Sequence, residues 1–526
     1  MIRATNLSVA IHGTPILQNV SLDIAAGQIV GLVGESGSGK SMTALAMMGL
    51  LPDGAVAKGA IQLFEEDLLQ TDERRLCAMR GQEIGMIFQE PMTALNPVQT
   101  IGDQVSETLT VHGAANGDAA RKIARDRLDR VGLGHIGMAA FPHELSGGQR
   151  QRVCIAAAIA LRPKLLIADE PTTALDVTTQ AQILDLLREL SRSEDMALLL
   201  ITHDLAVVAG MADHVAVMRN GEIVEQGATS TVMRDRAHPY TRALFAASAH
   251  QPEQTDMPVS DAILEVRNVV RIYPGRRNGL QRGSPLRAVD GVSFALKKGE
   301  SLGLVGESGC GKSTLTRAIL GLDPIQGGSI VLSGNPVTPH MPRRQRAAIQ
   351  VVFQDPYGSF NPRWRVARIV AEPFHLLPRR PPDWRDQVAD ALSAVQLAPG
   401  DMKKYPHEFS GGQRQRIAIA RALITKPDVL VLDEAVSALD VRIRAQVLDL
   451  LADLRARLGL SYLFISHDLT VVRAITDRVL VMQSGRIVER GETPEVFDAP
   501  NHPYTQALIA AAPRLDDVEN AGDIDA

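Results

Sequence analysis

The chain has 526 residues, room for two to four domains of ordinary size. Its 55 Lys+Arg against 60 Asp+Glu give a formal charge of −5, without the basic excess of a nucleic-acid binder, and 45% apolar residues exclude a disordered chain. No apolar run reaches the roughly 18 residues that span a bilayer. The opening MIRATNLSVA has no secretory pattern, and Cys77, Cys154 and Cys310 are too scattered for a disulfide framework or zinc site. A soluble protein of a reducing cytosol is expected.

In chain order, the first half alternates short apolar β-type runs with amphipathic helical stretches. The run QIVGLVG leads into GESGSGKS at 34–41, which opens SMTALAMMGLL, so the pattern G-x-x-x-x-G-K-S stands between a strand and a helix. In that loop Gly34, Ser36, Gly37 and Gly39 let backbone N–H groups approach phosphate oxygens, and the helix N-terminus adds its positive end. Lys40 would reach the β- and γ-phosphates and Ser41 would hold Mg²⁺. A single such match could also be a flexible glycine turn beside a solvated lysine. MIFQ ends in Gln89, a ligand for Mg²⁺ or water, or a turn cap. SGGQ at 146–149 places Ser146, Gly148 and Gln149 before an Arg-containing helix, which makes either a second anion site or a plain N-cap. LLIADE at 165–170 ends an apolar strand in two carboxylates. Asp169 suits Mg²⁺ and Glu170 suits polarising an attacking water, the alternative being a helix N-cap. TTQAQILDLLRELSR reads as an amphipathic helix. His203, after ALLLIT, is a γ-phosphate contact or a structural hydrogen-bonder.

The second half repeats the first. GESGCGKS at 306–313 supplies Gly306, Ser308, Gly309, Gly311, Lys312 and Ser313, followed by Thr314, and VVFQ supplies Gln354. FSGGQRQR supplies Ser410, Gly412 and Gln413; VLVLDE supplies Asp433 and Glu434; LFISHDL supplies His467. HPYT occurs at 238–241 and again at 502–505, and each histidine stands at the same spacing after its glutamate. The second half also inserts PGRRNGLQRGSPL at 274–286. The expected organisation is a first domain over 1–248, a linker over 249–262, a second domain over 263–515 and an acidic tail over 516–526. The linker, extended, reaches at most ~50 Å. Strands alternating with helices imply an α/β fold with mainly parallel sheets, whose ligands sit at the carboxyl ends of the strands.

With these residues assembled, the chain resembles the ATP-binding cassette family across both halves. The resemblance implies two tandem P-loop NTPase domains, each a mainly parallel sheet core with a helical signature subdomain and a small antiparallel β subdomain. LSGGQ and FSGGQ match the signature motifs, Gln89 and Gln354 the Q-loops, Asp176 and Asp440 the D-loops, and His203 and His467 the switch histidines. It further implies ATP hydrolysis at two composite sites. Lys40, Ser41, Gln89, Asp169, Glu170 and His203 would be closed by Ser410, Gly412 and Gln413. Lys312, Ser313, Gln354, Asp433, Glu434 and His467 would be closed by Ser146, Gly148 and Gln149. Mg²⁺ would lie on Ser41, Gln89 and Asp169 in one site and on Ser313, Gln354 and Asp433 in the other. Tyr273 fits the adenine-stacking aromatic of the second half, where the first offers only Ile11 or His12. Ala435 replaces the usual proline, present as Pro171, and is expected to loosen the turn after Glu434.

FQEPMTALNP, FQDPYGSFNP and both HPYT segments are similar to the oligopeptide/dipeptide importer ATPases, here with both partners fused. That implies a peripheral protein on the cytoplasmic face of the inner membrane. Two integral-membrane permease subunits would dock near 89–105 and 354–370, and an extracytoplasmic solute-binding protein would act indirectly, without nucleic acid. Residues 242–262 hold no cysteine, so no iron–sulfur cluster is expected. The rival is a twin-cassette protein of ribosomes or DNA, which typically needs a long charged helical linker or basic arms. The cargo stays open among dipeptide, oligopeptide, glutathione, nickel complex and peptide antibiotic.

Overall fold

The computed structural model describes residues 2–513 apart from Glu90, Ala174, 254–260, Arg276, 279–280, Gly283 and Tyr357. Much of the expected linker and the whole acidic tail at 516–526 therefore lie outside the described residues. The chain divides into two compact units, the first running to Ala249 apart from Asp176–Thr178, which group with the second unit, His250–Ala512. No helix among the described residues is long and apolar enough to cross a membrane.

The first unit is built around a six-stranded sheet. In spatial order it runs Ile84–Ile87, Leu165–Asp169, Ala197–Thr202, Ile29–Val33, His214–Arg219 and Glu222–Ala228. The first five strands are parallel and the last is antiparallel. Ile29–Val33 is buried along its whole length. Because side chains alternate across a strand, Ile29 and Val33 feed one apolar core while Val30 and Leu32 feed another. Leu166 and Ala168 likewise face one core, Leu165 and Ile167 the other. A separate antiparallel sheet orders Thr14–Ile24, Ile2–Ile11, Ala55–Leu63 and Glu66–Asp67. Helices Ile101–Val111, Gly117–Arg130 and Gly147–Ala158 form the helical part.

The second unit repeats the plan. Ile349–Val352, Val429–Asp433, Ser461–Ile465, Ser301–Val305 and Arg478–Gln483 are parallel, and Arg486–Glu492 closes the sheet antiparallel. Its antiparallel sheet orders Leu286–Lys297, Ala262–Tyr273, Gly327–Leu332 and Asn335–Pro336. Within the insertion, Arg277–Asn278 pairs with Gln281–Arg282 as a small ribbon. The expected α/β architecture, with parallel cores, helical parts and small antiparallel sheets, is what the chain adopts.

One buried polar group has no counterpart in the first unit. Arg455, 6% exposed, donates through Nε to the Gly299 carbonyl at 2.8 Å and through both terminal nitrogens to Asp477 at 3.0 and 2.5 Å. The aligned position of the first unit is Ser191, which donates to the Met196 carbonyl instead. Removing one partner of a buried pair strands the other. Arg455→Ala is therefore expected to cost about 3 kcal/mol of second-unit stability, measured by denaturant unfolding.

Candidate functional site

The chemistry-bearing residues sit where buried parallel strands end. Asp169 is the last residue of Leu165–Asp169, and Asp433 of Val429–Asp433. Glu170 and Glu434 follow with φ of 47° and 52°, a left-handed backbone that side chains seldom adopt. Each is pinned by its own N–H, which donates to Ile201 or Ile465 of the neighbouring strand at 2.8 Å. The turn then closes alike in both units, Thr173 N donating to Glu170 O and Ser437 N to Glu434 O, both at 3.2 Å. Ala435 thus leaves the backbone turn of its unit as tight as Pro171 does, contrary to the looser turn expected.

The glycine-rich loops follow Ile29–Val33 and Ser301–Val305 and end at helices Lys40–Met47 and Lys312–Ile319. Gly39 and Gly311 hold φ of 107° and 114° at the helix starts, and a Cβ on Gly311 would lie 2.2 Å from the Ala288 carbonyl oxygen. Only glycine fits there. Lys40 is buried, and its ammonium donates to the Gly34 and Glu35 carbonyls at 2.8 and 2.9 Å. Lys312 does the same to Gly306 and Glu307 at 2.6 and 2.9 Å. Ser36, Gly37 and Ser41, like Ser308, Gly309 and Ser313, are on the exposed rim, with Thr314 half-buried where the first unit has Met42.

His203 meets Glu170 through Nδ1 and Oε1 at 3.2 Å, and His467 meets Glu434 at the same distance. Burial alone would raise the Glu170 carboxyl, but hydrogen bonds from His203 and Thr173 and the charges of His203 and Lys40 pull it down to about 2. Burial opposes the same depression in Glu434, where His467 and Lys312 prevail. The aspartates go the other way. Burial raises Asp169, against a hydrogen bond from Ser41, and raises Asp433 to about 6 with the Glu434 charge adding to it. Asp169 Oδ1 is buried without a hydrogen-bond partner. An orphaned carboxylate oxygen beside a serine hydroxyl suits a hard divalent cation with oxygen ligands.

The two units differ around the glutamate. In the first, Gln89 Nε2 and Thr173 Oγ1 both donate to Glu170 Oε2, at 3.0 and 2.9 Å. In the second, Ser437 donates instead to the Glu434 backbone carbonyl at 2.9 Å, and Gln354 donates to the Ser437 hydroxyl at 3.5 Å.

The signature segments are helix N-caps within their own units. Ser146 accepts from Gln149 N at 3.3 Å while Gln149 Oε1 accepts from Ser146 N at 2.9 Å. Ser410 and Gln413 form the same box at 3.4 and 3.1 Å. Gly148 and Gly412 have a packing reason too, since a Cβ at either would lie 2.3 Å from a methyl of Thr179 or Ile443. Asp440 caps helix Val441–Leu458, and Asp176 accepts from Thr178 Oγ1 at 2.7 Å. Tyr273 donates its hydroxyl to Asp323 at 3.2 Å, with the Arg271 guanidinium 4.5 Å from the ring centre. His12 takes a left-handed turn, φ 47°.

A family profile described as "ABC transporter" matches residues 17–173 and 289–437, and one described as "Oligopeptide/dipeptide transporter, C-terminal region" matches 224–273 and 488–524. The chain belongs to the ABC transporter ATPase family. It is 47% identical to a peptidoglycan transport ATP-binding protein, YejF of Agrobacterium fabrum, over 99% of this chain and 97% of that protein. It is 45% identical to the glutathione import ATP-binding protein GsiA of Escherichia coli K12, over 94% of this chain and 86% of that one. A solved cassette, CbiO1 of Clostridium perfringens, aligns at 29% identity and a TM-score of 0.40, covering 46% of this chain and 92% of its own. This ABC protein binds and hydrolyses ATP as the ATP-binding subunit of an importer, and such a subunit works with membrane permeases.

Some participants were missed by sequence reasoning. The HPYT tyrosines accept hydrogen bonds from the phosphate loops, Glu35 N to Tyr240 at 3.3 Å and Glu307 N to Tyr504 at 3.0 Å. His238 and His502 cap the helices that carry them, each Nδ1 accepting at 3.1 Å. The exact repetition of HPYT was the available signal. Thr173 had none, because its partner choice against Ser437 depends on side-chain rotamers. Tyr504→Phe removes a loop anchor worth about 1 kcal/mol. The ATP KM is expected to rise about fivefold with kcat within about twofold, read from steady-state phosphate release.

Asp433 also sets a pH dependence. Its carboxyl titrates at about 6 when folded, against an ordinary value of 3.8, so the charge is a penalty to the folded state above that pH. Between about 6 and 4 the folded protein takes up a proton that the unfolded chain does not, and the penalty disappears. Asp433→Asn should therefore raise the Tm of the nucleotide-free protein by about 2–4 °C at neutral pH, a gain that shrinks to nothing towards pH 4. Calorimetry across that range measures it.

Proposed function

We propose that this chain energises import of a short peptide-like solute, coupling two ATP sites to a pair of permeases on the cytoplasmic face of the inner membrane. The observation that carries the reading is the doubled constellation of a buried lysine in its loop and a left-handed glutamate held by a histidine, joined in the first unit by the unpartnered Oδ1 of Asp169. Lys40 and Lys312 would exchange their loop carbonyls for phosphate oxygens, with Gly34, Gly37, Gly39 and Ser36, or Gly306, Ser308, Gly309, Gly311 and Thr314, lining the cradle. Ser41, Gln89 and Asp169, and in the second unit Ser313, Gln354 and Asp433, would hold Mg²⁺, which supplies charge neutralisation on the phosphates. Glu170 and Glu434 would orient and polarise the attacking water, and His203 and His467 would position the carboxylate. Completion of each cradle by the other half's Ser146, Gly148 and Gln149, or Ser410, Gly412 and Gln413, follows the family resemblance. Tyr273 would stack on adenine in the second cradle.

Residues 89–105 and 354–370 are the segments we assign to the permeases, and an extracytoplasmic solute-binding protein would deliver cargo to them. Relatives named for peptidoglycan transport and for glutathione import support a cargo with peptide bonds. The test uses tagged full-length protein solubilised from membranes in mild detergent. Two multi-span subunits should co-elute, and ribosomes in their place would overturn the importer reading. In that complex Glu170→Gln with Glu434→Gln should retain ATP while phosphate release falls at least ~100-fold; unchanged release would overturn the base assignment.

A further inference from the structure

Both tryptophans of the chain, Trp364 and Trp384, lie in the helical part of the second unit. Arg363, Arg365, Arg368, Arg379, Arg380 and Arg385 lie in the same stretch, and all six are exposed. Arg368 sits 3.9 Å over the Trp364 ring, Arg380 sits 3.5 Å over Trp384, and Arg385 is 5.1 Å from that same ring. Arg365 lies 5.5 Å over Tyr405. Both tryptophans are half-buried and pack on the apolar core, so each ring is a fixed platform. Helix Val366–Val370 packs against helix Trp384–Ala394, which makes the two Arg–Trp clusters neighbours.

The local carboxylates are engaged elsewhere. Glu372 is 3.5 Å from Arg421, and Asp383 accepts from Gln387 at 3.1 Å. The repeat supplies an internal control, because Asn96-Pro97 aligns with Asn361-Pro362. Residues 363–385 hold six arginines against Glu372 and Asp383, a formal +4. Residues 98–121, the counterpart through the helix capped at Val131 as its equivalent is capped at Val395, hold Asp103, Glu107 and Asp118 with Arg121 and no Lys, Trp, Tyr or Phe, a formal −2. Two copies of one fold therefore present opposite charge at the same place. In a chain of net charge −5, no requirement of the fold explains the difference.

We propose that this arginine–tryptophan surface of the second unit rests on the anionic phospholipid headgroups of the bilayer. Guanidinium groups match phosphate oxygens two at a time, and stacking on a fixed ring leaves the fork pre-oriented at small entropic cost. Indole rings favour the headgroup level, and cationic segments next to a membrane gain from the negative potential of its cytoplasmic leaflet. Arg363, Trp364, Arg365 and Arg368 lie within the 354–370 segment assigned to the permeases, so the lipid contact is carried by Arg379, Arg380, Arg385 and Trp384, which lie outside it.

The test is sedimentation of purified full-length protein with phosphatidylcholine vesicles, with and without phosphatidylglycerol, in the absence of permeases. The expected result is binding only when phosphatidylglycerol is present, weakening steeply with salt, and at least about tenfold weaker for R379A/R380A/R385A at unchanged ATP hydrolysis. Because Trp384 lies in the lipid-facing part of the patch, the tryptophan emission should shift with the anionic vesicles alone. Binding indifferent to phosphatidylglycerol, equal binding by the triple variant, or an unmoved emission would each overturn the proposal. So would capture of detergent-solubilised permeases by this surface without any vesicle binding. Failure here leaves the co-elution of permeases untouched, and loss of that co-elution would leave the vesicle result standing.

Discussion

A parallel strand buried on both faces is the constraint on which the rest of each unit depends. Ile29–Val33 and Ser301–Val305 have no polar side chain facing solvent along the middle of their length, so their polar successors can appear only where the strand ends. Adjacent parallel strands end at the same edge of the sheet. Lysine, glutamine, aspartate, glutamate and histidine, far apart in sequence, are thereby delivered to one edge. The close contacts of Glu170 with Gln89 and His203, 81 and 33 residues away, are a consequence of strand order.

The same burial makes the electrostatics of the site. A carboxylate at the end of an apolar strand is poorly solvated, and burial raises the carboxyls of Asp169 and Asp433 above their ordinary range. One residue later the outcome reverses, because Glu170 and Glu434 face a histidine and lie near a buried lysine. Neighbouring carboxyls of one chain are thus split into a group that a cation can complete and a group that is charged and oriented. The left-handed backbone at the glutamate is the local cost of turning that side chain towards the histidine.

Duplication left the scaffold intact and let its periphery diverge. Ala435 replaces Pro171 without altering the turn, because the N–H bond to the adjacent strand already holds it. Thr173 and Ser437 occupy one position yet bond differently, so Glu170 has three side-chain partners where His467 is the one side-chain partner described for Glu434. Arg455 ties a helix to the sheet edge in one unit, where Ser191 makes a local bond in the other. The surface at 363–385 reversed its charge relative to 98–121.

The amino-acid sequence by itself determined the α/β class, the repeat and the identity and order of the phosphate-loop, carboxylate and histidine residues. Each of these is written locally, as an apolar run of strand length followed at once by a fixed polar pattern. Tertiary structure alone decided which residues meet: Tyr504 with the Glu307 N–H 197 positions away, Thr173 on its glutamate while Ser437 turns to a carbonyl, Arg455 on Asp477, and the arginines on their tryptophans. Those partnerships depend on rotamers and on strand adjacency. No periodicity or spacing along one chain encodes the distance between side chains brought together from different elements.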